Sequence, residues 1–394
     1  MEYGTYIHEL PDWPEFRYHG DALANQLADV RHRQGLLMGR MEALGFNLQQ
    51  EAQCNAVAGD VITSSAIEGE RLDAAQVRSS VARRLGLDVA GMKPADRHVD
   101  GVVEMMLDAT QRYDAPLTAA RLYAWQAALF PTGRSLLVKI RTGAWRDDAS
   151  GPMQVVSGPH GREKVHFEAP AARRVKAEMA AFLRWFNARP ATDPVLKAGL
   201  AHLWFVTVHP FADGNGRVAR AIADMALARS EGSPRRFYSM STQIRAEREA
   251  YYRMLERTQR GGTMDVTPWL EWFLACLGRA IEAAQEQLAV VLAKARVWEG
   301  LAQANLNARQ RLVVNRLLDG FEGSLNTSKW AKLTKTSTDT ALRDIQELVE
   351  QGVLVRAAGA GGRSTNYLRA RAPELLGAGR WAQEGKGNET RKAV

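Results

Sequence analysis

The chain has 394 residues, 46% hydrophobic and 24% charged, the balance of a globular protein with room for two or three domains. Cys54 and Cys276 are its only cysteines, which excludes a disulfide framework and a cysteine metal site and points to a reducing compartment. The net charge is +8, and neither a signal-peptide pattern nor an apolar run of about 18 residues occurs, so a cytoplasmic protein without membrane contact is expected.

Residues 1–16 are aromatic, with Pro11 and Pro14, and are expected to lie extended against the body. Residues 21–45 space Leu23, Leu27, Val30, Leu36 and Leu37 as a helix, with Gly45 as its C-cap. Residues 50–69 end in Ser64-Ser65-Ala66-Ile67-Glu68-Gly69. Gly69 stops that helix and leaves Glu68 in its last turn, where the helix dipole disfavours a carboxylate by about 0.3–1 kcal/mol and a cation partner is expected. Residues 72–85 read as a short helix, 86–97 as a Gly/Pro connector, and 98–113 and 118–130 as two further helices. An irregular region opens at residues 141–146. Short strands are expected over 153–156 and 164–167, around the turn cluster 157–161; neither His160 nor His166 is read as a ligand. Residues 170–189 are amphipathic through Val175, Met179, Phe182, Leu183 and Phe186.

The chemistry concentrates in the middle of the chain, between residues 196 and 230. Residues 196–208 are an apolar, helix-length run that Pro210 blocks, leaving His209 at its C-terminal edge where an imidazole can face a cleft. Gly214-Asn215-Gly216 tolerates unusual backbone angles, and successive N–H groups in such a turn form an anion-binding nest. A second helix over 217–230 places that nest at a helix N-terminus, which also favours phosphate. Arg217 and Arg220 share one face of this helix, and Asp213 is a hard oxygen ligand suited to magnesium bridging phosphates. One stretch thus holds a candidate base, a metal ligand, an anion nest and two phosphate-binding cations.

The stretch His209-Pro210-Phe211-Ala212-Asp213-Gly214-Asn215-Gly216-Arg217, with Arg220 beyond it, resembles the signature of the Fic family, H-x-F-x-[D/E]-G-N-G-R-x-x-R, at every defined position. The resemblance implies a helical bundle that transfers AMP from ATP to a hydroxyl side chain of a target protein. It implies His209 as general base, Asp213 as the Mg2+ ligand, Gly214, Asn215, Gly216 and Arg217 around the phosphates, and Arg220 on the γ-phosphate. Some relatives transfer UMP, phosphocholine or phosphate instead. The stretch 64–69 is similar to the family's inhibitory pattern [S/T]-x-x-x-E-[G/N], which implies Ser64, Glu68 and Gly69 as an inhibitory element with Glu68 paired to Arg220. Trp13-Pro14 and Arg33-Gln34-Gly35-Leu36-Leu37 are similar to an N-terminal region attached to many bacterial Fic proteins. The expected hairpin at 153–167 matches in position the flap that binds the target backbone as an added strand, the target being another protein or the chain itself.

Residues 245–259 form the next expected helix; by the resemblance, Tyr252 and Leu255 match the adenine pocket, and Gln259 stands where some members carry an asparagine. Residues 268–288 are a long apolar helix completing the bundle. Beyond 290, a helix at 307–319 precedes two more, capped at Asn326-Thr327-Ser328 and at Thr336-Ser337-Thr338. Strands at 352–356 and 366–368 complete what resembles a winged helix, with Arg343 on its second helix and Arg356 and Arg363 flanking the wing tip. Such domains contact DNA, dimerise or dock partners; residues 329–394 carry twelve Lys/Arg against seven Asp/Glu, a modest bias that ranks DNA below a protein interaction. The reading is therefore a mainly α protein: an N-terminal region (1–92) with an inhibitory helix, a Fic helical bundle with a β-hairpin flap (93–292), a winged helix-turn-helix domain (293–371) and a disordered tail (372–394). The expected activity is an autoinhibited protein adenylyltransferase working as a homodimer, with Fic de-AMPylation or a DNA-binding regulator as alternatives.

Overall fold

A computed structural model describes residues 5–369 apart from 88, 90, 91, 136, 137, 150, 159–161, 163, 190, 302, 303, 319–324 and 358–364. It is mainly helical, with three small two-stranded antiparallel sheets among the described residues. The chain divides into two units, residues 1–286 and 287–394. No helix among the described residues is long and apolar enough to cross a membrane.

The first unit opens with a 3-10 turn at Ile7–Glu9; Ile7 is fully buried, and Trp13 Nε1 donates to Glu178 at 2.9 Å, so this aromatic segment packs on the body. Helix α1 (Gly20–Glu42) is capped at Ala43, not at Gly45 as expected, because Gly45 is instead the N-cap of α2 (Phe46–Ile67). Asp73, Asp96 and Thr118 accept from first-turn N–H groups and open α3 (Ala74–Arg84), α4 (Arg97–Gln111) and α5 (Ala119–Leu129). A minimal hairpin comes next, β1 (Arg134–Ser135) with β2 (Val138–Lys139), too short to leave a periodic signal in the sequence. Strands β3 (Gln154–Ser157) and β4 (Lys164–Glu168) pair antiparallel, with a register shift between Val155 and Val156; His160 lies outside the described residues. The amphipathic α6 (Ala172–Asn187) buries Val175, Met179, Phe182 and Phe186.

At the centre lie α7 (Pro194–Val208) and α8 (Asn215–Glu231). Every α7 residue from Val195 to Val208 is buried, which is why its sequence reads as a continuous apolar run instead of a stripe. The helix expected over 245–259 is two helices, α9 (Met240–Ala246) and α10 (Arg248–Gln259). They break at Glu247, whose carboxylate takes a bidentate pair from Arg279 with both contacts at 2.6 Å. Helix α11 (Thr267–Gly300) is longer than expected.

In the second unit, α12 (Ala308–Leu318), α13 (Thr327–Thr334) and α14 (Thr338–Glu350) pack around Trp330, Val313, Ile345 and Leu348. Asn326 and Ser337 cap α13 and α14 through their side chains. Strands β5 (Leu354–Arg356) and β6 (Tyr367–Arg369) form the wing. Arg343 is exposed on α14, while Arg363 and the tail beyond 369 lie outside the described residues.

Candidate active site

Helix α7 ends at His209, which takes the left-handed conformation (φ 50°) and closes the helix by donating its N–H to Phe205 O at 3.0 Å. Few residues other than glycine sit there, so something must hold the backbone. Arg146 does much of this: its Nε donates to His209 O at 2.7 Å, its Nη2 to Val208 O at 3.5 Å, and its backbone N–H to Pro210 O at 2.9 Å. His209 Nδ1 lies 3.2 Å from Val206 O. A carbonyl only accepts, so Nδ1 carries the proton and Nε2 keeps its lone pair. Burial pushes the imidazole pKa below its ordinary 6.5; the Val206 carbonyl opposes this and the Arg146 charge adds to it. His209 is thus neutral at pH 7, and Nε2 is the nitrogen that can accept a proton.

The loop from 210 to 216 is locked from inside. Phe211 is fully buried, and the Asn215 side chain grips its backbone from both ends: Oδ1 accepts the Phe211 N–H at 2.9 Å and Nδ2 donates to Phe211 O at 2.8 Å. Asn215 therefore shapes the turn, and only its backbone N–H is left for a ligand. Gly214 has φ 87°, and a Cβ there would lie 3.0 Å from Leu129 and from Phe130, so only glycine serves. Asp213 is oriented by the Gly214 N–H, 2.5 Å from Oδ1, and by the Ser135 hydroxyl on Oδ2.

The two arginines of α8 point at the same opening from within the core. Arg220 is 2% exposed; its Nε donates to Ser64 Oγ at 2.8 Å, and its Nη2 to Ser64 O at 2.9 Å and to Glu68 Oε1 at 2.8 Å. Arg217 Nη1 donates to Glu70 Oε2 at 2.7 Å, and its guanidinium stacks on Phe130 with 5.0 Å to the ring centroid. Among the described residues, Arg217 Nε and Arg220 Nη1 are buried without a hydrogen-bond partner. Unpartnered buried cationic N–H groups beside an anion nest are what a phosphate would satisfy.

Glu68 is not in the last turn of α2 but is its C-cap, followed by Gly69 at φ 83°. The Glu70 N–H returns to Ser65 O at 3.0 Å and closes the turn, so one helix end delivers two carboxylates to two arginines. A Cβ on Gly216 would lie 2.1 Å from Glu68 Oε1, which places the Glu68 carboxylate over the glycine turn itself. Helix α2 is anchored through Asp60 Oδ1, which accepts from Ser239 Oγ at 2.5 Å and from the Ser241 N–H at 3.0 Å.

Residues 116–227 match the Fic/DOC family. They are a Fic/DOC domain. Upstream of the Fic domain, residues 6–87 match a domain of unknown function (DUF4172), and downstream residues 309–365 match a DeoR-like helix-turn-helix domain. The chain is 26% identical over 238 residues to protein adenylyltransferase Fic of Drosophila mojavensis, covering 59% of this chain and 42% of that one. It is 32% identical over 117 residues to the protein of the same name from Nematostella vectensis, covering 29% of this chain and 25% of that one. The chain thus spans less than half the length of these relatives. A Fic family protein from Desulfovibrio desulfuricans G20 shares the fold, with a TM-score of 0.50 at 22% identity over 88% of this chain and 95% of that one.

The other residues that the Fic resemblance named are placed less uniformly. Tyr252 is 37% exposed on α10 and lies under the Arg248 guanidinium, 5.4 Å from its ring centroid; burial, then the negative charge of Glu68, raises its hydroxyl pKa. Leu255, one turn on, is buried. Gln259 turns inward, where its Nε2 donates to Thr207 Oγ1 at 3.1 Å. Tyr251 belongs to the core and sits 2.9 Å from His202 Nε2 behind Arg220. The motif does not reveal Arg146 or Glu70: Arg146 acts across 63 residues of chain and Glu70 across 147, and neither stands in a recognised pattern. The only local hint is a second glutamate two positions after the first, in Glu68-Gly69-Glu70.

Proposed function

We propose that the chain is a magnesium-dependent protein adenylyltransferase held inactive by Glu68. The observation that carries this is the open nitrogen of a neutral base, His209 Nε2, at an anion-binding turn whose two arginines are held by carboxylates. ATP phosphates pack on the Gly214 turn and take the N–H groups of Asn215 and Gly216 at the start of α8, the Gly214 N–H being held by Asp213, and the γ-phosphate takes Arg220 once Glu68 withdraws. The acceptor hydroxyl of a target Ser, Thr or Tyr attacks the α-phosphorus and His209 Nε2 takes its proton. A new P–O bond forms to the acceptor, the bond to the β-phosphate breaks, and pyrophosphate leaves.

Asp213 is the residue that would hold magnesium. A single oriented carboxylate suits this ion, which takes one or two carboxylates and completes its shell with phosphates and water. The ion neutralises phosphate charge. For the target, the outer edge of β4 is taken at Val165 O by Arg260 Nη2 and at Glu168 O by His8 Nε2, so β3 of this two-stranded hairpin, with Val156 48% exposed, is the edge that supports main-chain strand addition.

For the helix-turn-helix domain, protein docking is favoured over DNA by the exposed face of α14. Asp339, Glu347 and Glu350 outnumber Arg343 there, and Leu342 is 39% exposed, a poor match to a phosphate backbone.

The experiment is intact mass of the full chain carrying Glu68→Gly after incubation with magnesium and ATP, UTP or GTP, alongside labelled ATP with a cell lysate. An AMP-sized increment on the chain, or labelled lysate proteins that vanish with His209→Ala, is expected. Transfer from no nucleotide to any protein overturns the reading.

A further inference from the structure

We infer that Arg146 is a positioning residue for His209, holding the base in its catalytic backbone conformation and tying it to the root of the β3–β4 hairpin; this rests on the adenylyltransferase reading. The side chain is 2% exposed, a buried guanidinium with unusual partners. It donates to the carbonyls of His209 and Val208, and its own N–H takes the carbonyl of Pro210. Three consecutive carbonyls around one left-handed residue are thus gathered by one arginine. At its other side Nη2 donates to Pro170 O at 2.5 Å, two residues after β4, and Nη1 lies 3.5 Å from Asp148 Oδ1. Asp148 in turn accepts the Ala172 N–H at the start of α6, 3.1 Å from each carboxylate oxygen.

The consequence is geometric. The direction of the Nε2 lone pair depends on the His209 backbone and on the Nδ1 contact to Val206, and Arg146 fixes the first of these. Near-attack geometry is steep enough that a displacement of about 1 Å removes roughly a hundredfold of rate. Only a forked, planar donor set reaches several carbonyls at once, so lysine is not an equivalent. The positive charge has a second effect, disfavouring protonation of His209.

The test compares Arg146→Lys, which keeps the charge but loses the fork, with Arg146→Met, which loses both, each in the full chain with Glu68→Gly. Arg146→Lys is expected to lower kcat for AMP transfer by roughly tenfold to a hundredfold, with the ATP dissociation constant within about twofold and the acid limb of the pH profile in place. Arg146→Met is expected to add a shift of that limb to higher pH. Unchanged kcat in Arg146→Lys overturns the inference. So does a parallel loss of ATP affinity or of folding in Arg146→Lys, which would make the residue a general structural support. His209→Ala in the same series separates the two layers: if it keeps activity, the reading of the base fails, whatever Arg146 does.

A second, independent observation concerns Glu70. We propose that Glu70 is a second inhibitory carboxylate, closing Arg217 as Glu68 closes Arg220. Its Oε2 takes Arg217 Nη1 at 2.7 Å while His98 Nε2 lies 2.5 Å from Oε1, so the carboxylate is braced from α4. The same turn at Gly69 presents both glutamates, so movement of the α2 end releases both arginines together. The test is ATP binding by calorimetry on the full chain carrying His209→Ala, so that no turnover interferes, with Glu68→Gly, Glu70→Gln and both. The double variant is expected to bind roughly tenfold more tightly than Glu68→Gly alone, the scale of one charge-assisted hydrogen bond. Equal or weaker binding in the double variant overturns the proposal and makes Glu70 a support for Arg217. A Glu68→Gly variant that gains nothing itself refutes Glu68 inhibition separately.

Discussion

Replacing Glu68 by glycine tests the proposed inhibition most directly. Glu68 contributes one charge-assisted hydrogen bond, 2.8 Å from Glu68 Oε1 to Arg220 Nη2, and its side chain is 32% exposed. Arg220 keeps its two contacts to Ser64 when Glu68 is gone, so the arginine does not become a wholly unpaired buried charge. The energy of the latch is therefore that of a single hydrogen bond to a charged group, about 1.5–3 kcal/mol, below the ~3–5 kcal/mol of breaking a fully buried pair. That converts to about tenfold to 150-fold. Glu68 is the C-cap and lies outside α2, so glycine there disturbs the helix little. It also empties the space above Gly216, where the γ-phosphate can then approach Arg220. Calorimetric ATP affinity and labelled-ATP transfer are both expected to rise by that factor, and Arg220→Ala added to Glu68→Gly should cancel the gain. A folded Glu68→Gly chain with unchanged ATP affinity and unchanged transfer would refute the reasoning.

The same geometry sets other outcomes. His209→Ala is expected to abolish transfer while ATP affinity stays within about twofold, because the proposed base acts on the acceptor hydroxyl and not on the nucleotide; calorimetry beside a labelling assay reads both. In the Glu68→Gly chain, transfer should fall as pH drops below His209's lowered pKa and hold at neutral pH; a titration of rate against pH with an acid limb above 6.5 would contradict the buried, neutral base. Asp213→Ala should weaken ATP binding in magnesium but not in EDTA, and equal MgATP affinity would remove Asp213 as the metal ligand. His202 is fully buried against Tyr251, and burial lowers its pKa to about 3. The unfolded chain then binds one more proton between about pH 6.5 and 3, so stability is lost on acidification at about 1.4 kcal/mol per pH unit. His202→Gln should flatten that slope in urea melts across this window, and an unaltered slope would contradict the assignment.

Much of this protein was decided locally and could be read from the chain. Pro210 ends α7, Gly214 takes a positive backbone angle (φ 87°) that favours glycine, and Asn326 and Ser337 cap α13 and α14. These depend on residues within a turn of one another, where sterics and nearby hydrogen bonds settle the outcome. Helix limits were less legible where a residue could serve either of two neighbours: Gly45 could end α1 or begin α2, and only packing chose the second. The helix expected over 245–259 is interrupted at Glu247, whose carboxylate is held by Arg279, 32 residues away. The site divides in the same way. The motif offered the candidates for a base, a metal ligand and phosphate cations. Which nitrogen of His209 is free, what its burial does to its proton, that Asn215 serves the loop, and that Arg146 and Glu70 belong to the site came only from the tertiary structure. Those properties arise from contacts between segments far apart in the chain, such as Arg220 with Glu68 across 152 residues, and a packed interior selects such contacts by geometry that no local pattern encodes.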